Sequence, residues 1–93
     1  MRPETAAFAR MMDAEMDANE ARKGESWRVL SSDDLYFELN KHADKLRLAM
    51  LAGDADKIAE HAADVGNCAR FIAERAGVLS KHYRGSDPGA DWY

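Results

Sequence analysis

The stretch EHAADVGN, residues 60 to 67, sets Glu60, His61, Asp64 and Asn67 within a segment whose apolar residues otherwise recur at helical spacing. His61 and Asp64 stand three apart, which puts both side chains on one helix face. Upstream, His42 occupies an apolar stripe between Leu39 and Leu46, with Lys45 one turn on. The intervening AGDAD (52–56) reads as a tight turn. His42 lies about eleven residues before Gly53 and His61 about eight after it. At a rise of about 1.5 Å per residue, the two histidines reach similar heights on an antiparallel hairpin. His42, Lys45, His61 and Asp64 are therefore expected to cluster, with Glu38 and Glu60 at the edge.

Three chemistries suit such a cluster, because polar groups buried between helices cost free energy unless they pair or bind something. The histidines can be hydrogen-bonded core residues beside a Lys45–Asp64 ion pair. Two imidazoles and a carboxylate can ligate a metal ion. Lys45 and donating histidines can receive a phosphate. A second cluster lies in KGESW (23–27). Lys23 can meet a phosphate beside the flexible Gly24, and Trp27 offers a ring for stacking or a plug for the core.

The elements that must position these residues are helical. Residues 3–22 place Phe8, Met12 and Met16 on one face, with Pro3 suited to a first turn. SSDDL (31–35) begins a second helix running to about Ala52, capped by Ser31 or Ser32. Its stripe is Leu35, Leu39, His42, Leu46 and Ala49. A third helix runs from about Ala55 to Ala76 with Ile58, Ala62, Val65, Ala69, Ile72 and Ala76 as its stripe. Strand patterns are absent. The expectation is an all-α fold: an antiparallel helical hairpin plus an N-terminal helix, completed as an oligomeric helical bundle. Residues 1–79 form one helical domain, and 80–93 a turn-rich tail that is loose or docks on a neighbouring subunit.

The chain has 93 residues, a net charge of -4 and a pI near 5.3, which argues against nucleic acid as a partner. One cysteine, Cys68, excludes an intrachain disulfide. No apolar run spans a membrane and no leader-like stretch opens the chain, so a cytoplasmic setting is expected.

The order KGESW, LYFELNKHADKLRLAM, GDADKI and EHAADVGNCARFIAERAG resembles the MazG-like all-α nucleoside triphosphate pyrophosphohydrolases, most of all small phage-type members. It covers residues 8–77. The resemblance implies a dimeric or tetrameric bundle. It also implies hydrolysis of a nucleoside triphosphate to monophosphate and pyrophosphate with Mg2+, and a phage-encoded protein in a host cytoplasm. The family holds its metal on an E-x-x-E and an E-x-x-D pair. These positions fall here on His42 and Lys45, and on His61 and Asp64, so three of four acids are replaced. Lys23, Trp27 and Asn67 match the family's substrate-side residues. The implied roles are Asp64, His61 and His42 in catalysis, Asp64 with Glu38 or Glu60 at the metal, and Lys23, Trp27, Lys45 and Asn67 at the nucleotide. Because the replaced acids weaken a Mg2+ site, a nucleotide-binding protein without hydrolysis or cofactor is the alternative, and a structural protein the third. Nucleotide binding that persists in EDTA would separate the second from the first.

Overall fold

The computed structural model describes residues 1–79; the expectations for the tail, 80–93, fall outside the described residues. Within them the chain is helical, with no strand: α1 Pro3–Lys23, a 3-10 turn Ser26–Val29, α2 Ser32–Ala52 and α3 Ala55–Arg75.

Local chemistry explains the boundaries. Pro3 stands in the first turn of α1, where its missing N–H removes no helical bond. The Ser31 side chain accepts from the Asp34 N–H while Asp34 accepts from the Ser31 N–H, a reciprocal cap at the start of α2. Gly53 ends α2 with φ 66° and ψ 27°, a left-handed conformation that a side chain disfavours. Asp54 then caps α3 by accepting from the Lys57 N–H at 3.1 Å. This two-residue connection folds α2 and α3 into the expected hairpin.

α3 is the central element. It packs along α2 and, over a smaller area, against α1. The buried apolar residues are Leu35 and Ala49 of α2 and Ala63, Cys68 and Phe71 of α3. α1 has no buried residue. Its Phe8 and Met12 close on α3 at Gly66, where an added Cβ would stand 3.1 Å from the Met12 sulfur and 3.2 Å from the Phe8 ring. Gly66 thus sets how closely α1 can approach. Asn67, one residue on, donates to the Met12 carbonyl at 2.9 Å and ties the two helices together.

The 3-10 turn is held at the far end of α3. Trp27 stacks on Phe71 with ring centroids 4.1 Å apart and planes 4° from parallel. The Arg75 guanidinium donates to the Arg28 carbonyl at 3.2 Å. No described helix is long and apolar enough to cross a membrane.

Candidate functional site

The hairpin brings His42 of α2 against His61 and Asp64 of α3. His42 Nδ1 lies 3.3 Å and His61 Nδ1 3.5 Å from the same oxygen, Asp64 Oδ2. The imidazole centroids are 6.1 Å apart. Asp64 is buried, and both histidine side chains are mostly enclosed. Each Nδ1 is itself buried and makes no hydrogen bond. One ligand atom from each of the three residues falls within 4.8 Å of the other two.

Burial holds the His42 imidazole below its ordinary value; Asp64 pulls the other way, and Lys45 adds to the lowering. Desolvation wins, so His42 is neutral at pH 7 although it faces a carboxylate. A fourth group completes the surroundings and is contributed by α1. The Glu15 carboxyl is pushed above its ordinary value, first by burial and then by the charge of Asp64 and a hydrogen bond with it. Glu15 carried no signal in the sequence, where it reads as one acid on the solvated face of α1. Only the approach of α1 at Gly66 turns it toward Asp64.

A half-open cavity of about 220 Å³ adjoins the cluster. Lys23, Trp27, Glu38, His42, Asp64 and Asn67 all line it, so most of the residues singled out in the sequence converge on one space. Asn19 and Glu20 of α1 line it as well. His61 and Lys45 instead face a shallower hollow with Asp54 and Lys57. The expected Lys45–Asp64 ion pair is not among the ion pairs of the described residues; Asp64 is paired with the two histidines. Glu38 pairs with Lys41 at 3.3 Å, and Glu60 lies 3.5 Å from Lys57 and 3.6 Å from His61 Nε2.

Trp27 is placed differently from a free stacking platform. Phe71 lies parallel at 4.1 Å and the Arg28 guanidinium sits 4.5 Å from the ring centroid. Two groups at those distances cannot share one face of the ring. The indole therefore meets the cavity by its edge, and its buried N–H has no partner. Asn67 spends an amide N–H on the Met12 carbonyl and also lines the cavity. Cys68 also lines the cavity, but burial pushes its thiol up to about 11, so it is a poor nucleophile at neutral pH.

The donor set does not fit Mg2+, the ion implied by the resemblance. Magnesium takes oxygen ligands in near-octahedral geometry, whereas two of the three clustered donors are imidazole nitrogens. Compared with protein-family models, curated proteins and solved structures, the chain finds no match.

Proposed function

We propose that the cavity between α1, α2 and α3 receives a nucleoside triphosphate or a related phosphorylated nucleotide, and that the chain is a MazG-like nucleotide-handling protein. The observation that carries this reading is the convergence of Lys23, Trp27, Glu38, His42, Asp64 and Asn67 on one cavity, from three separate stretches of sequence. Lys23 supplies a point charge for phosphate. The Trp27 indole N–H and the Asn67 carbonyl supply a donor and an acceptor for the remainder of the ligand.

In the hydrolytic form of this function, water attacks phosphorus and the bond between the α-phosphate and pyrophosphate breaks. With no ion bound, the neutral His42 imidazole can accept the proton of the attacking water and Asp64 at 3.3 Å would stabilise the imidazolium that results; with an ion on the two residues, both are ligands and neither takes that role. The second reading is binding without cleavage. It is favoured by the replacement of acids by His42, Lys45 and His61 at the positions that resemble the family's metal ligands.

The same proposal includes self-association. A volume of about 220 Å³ is below the roughly 300–1,000 Å³ of complete small-molecule sites, in keeping with a pocket completed by a second copy. The outer face of α2 supports this: Tyr36, Phe37, Leu48 and Leu51 are each 61–67% exposed. On an ideal helix they fall within about a third of the circumference, opposite Leu35, His42 and Ala49.

Titration calorimetry with a panel of nucleoside triphosphates, in added divalent ion and in EDTA, tests the function, followed by assay for pyrophosphate. Binding with release of pyrophosphate supports the enzyme. Binding without release supports the receptor. Heat from no nucleotide under either condition would remove both.

A further inference from the structure

We propose that His42, His61 and Asp64 form a site for a borderline first-row divalent ion of the zinc class, in place of a magnesium site. This deepens the nucleotide reading and rests on it for the ion's use, while the binding of the ion stands on the donors alone.

The first ground is the chemistry of the donors. Two imidazole nitrogens and one carboxylate oxygen suit zinc and its neighbours, which accept nitrogen readily. The second is spacing. Around a tetrahedral ion with ligand bonds of about 2.0–2.2 Å, adjacent ligand atoms stand about 3.3–3.6 Å apart. Two of the three edges meet this, His42 Nδ1 and His61 Nδ1 standing 3.3 and 3.5 Å from Asp64 Oδ2; the three ligand atoms together lie within 4.8 Å, a spread that the histidine rings close by small rotations on an ion. The third ground is the two buried Nδ1 atoms that make no hydrogen bond. A buried polar atom without a partner calls for an occupant, and here two of them address one carboxylate oxygen. A structural histidine–aspartate network would place an N–H on that oxygen in good geometry, and neither ring does so.

The support points the same way. Glu15 faces Asp64 and Glu60 lies 3.6 Å from His61 Nε2, while Lys57 pairs with Glu60 and Lys45 stands near His42, so the surroundings are of mixed charge and the donors themselves carry the argument. All three donors project from the paired helices of one hairpin rather than from loops. His42 and Asp64 also line the cavity, so an ion held by them would adjoin it.

The test uses the full chain stripped with EDTA and exchanged into metal-free buffer. ZnCl2 and MgCl2 are titrated separately by calorimetry, and CoCl2 is followed by its visible d–d absorption. The expected result is one zinc per chain, bound at least about tenfold more tightly than magnesium. The cobalt form should give a tetrahedral spectrum without a thiolate charge-transfer band. His42→Gln, His61→Gln and Asp64→Asn should each lose at least about tenfold in zinc affinity, and His82→Ala none. Circular dichroism verifies that the variants keep their helicity. Should they unfold, the wild-type cobalt spectrum decides the matter. Equal affinity for both ions, an octahedral all-oxygen cobalt spectrum, or zinc binding lost in His82→Ala would overturn the proposal. The two readings fail separately. Zinc binding without nucleotide binding leaves the metal site and removes the nucleotide; nucleotide binding in EDTA without zinc binding does the reverse.

Discussion

Asp64 stands where two opposed demands meet. It is buried, and it faces both His42 and Glu15. Glu15 is raised above its ordinary 4.5, so it contributes stability below that pH and loses it as pH rises through the folded value. From acid toward neutral pH this group therefore becomes a cost to the metal-free fold. Glu15→Gln should raise the thermal midpoint of the EDTA-treated protein at pH 7 and leave it unchanged in acid. A lowered midpoint at pH 7 would show that the carboxylate is compensated. Cys68 gives a second handle. Its thiol is raised from 9.0 to about 11, so the folded state gains stability while the thiol is neutral and loses it as pH climbs between those values. Iodoacetamide should label Cys68 slowly in the native protein at pH 9 and rapidly after denaturation. Equal rates would show the thiol to be open to solvent.

At the scale of elements, the approach of α1 to α3 is set by Gly66 and Asn67. Gly66→Ala gains up to about 1 kcal/mol of helix propensity against mild crowding by Met12 and Phe8, and should be close to neutral. Gly66→Val forces the helices apart and should cost about 1–3 kcal/mol, read by urea unfolding. A neutral Val variant would mean that α1 adds little to the fold. The helix boundaries were legible in the sequence because they rest on local chemistry: Pro3, a serine cap at Ser31 or Ser32, Gly53 and Asp54; the reciprocal bond from Asp34 appears only in the structure. The meeting of His42 with His61 and Asp64 was legible for the same reason, since a two-residue turn leaves the register little freedom. Contacts made across the chain were not. The 3-10 turn exists because Trp27 finds Phe71 and Arg75 finds the Arg28 carbonyl, partners more than forty residues away. Lys45 was expected to pair with Asp64; it instead lines the neighbouring hollow together with His61, near enough to His42 to act on its charge.

For the molecule as a whole, the small core is the governing fact. Among the described residues, only Leu35, Ala49, Ala63, Cys68 and Phe71 are buried apolar residues, while large side chains line the outside of α2. Short chains that bury so little commonly complete their cores by association. The double variant Phe37→Glu, Leu48→Glu should lower the mass measured by light scattering to that of one chain. An unchanged oligomer would place the interface elsewhere, and a wild type that is already monomeric would remove the association.

The hairpin has one more consequence. His42 and His61 are joined covalently through the turn at Gly53 and meet again in space across Asp64. An ion gripping both would act as a removable cross-link, closing a loop of eighteen intervening residues in any partly unfolded chain. An ion present at about a hundred times its dissociation constant adds about 2.7 kcal/mol to the folded state, a large fraction of what so small a domain possesses. The supply of ion in the surroundings would then govern how much of the protein is folded, as well as what its cavity can hold.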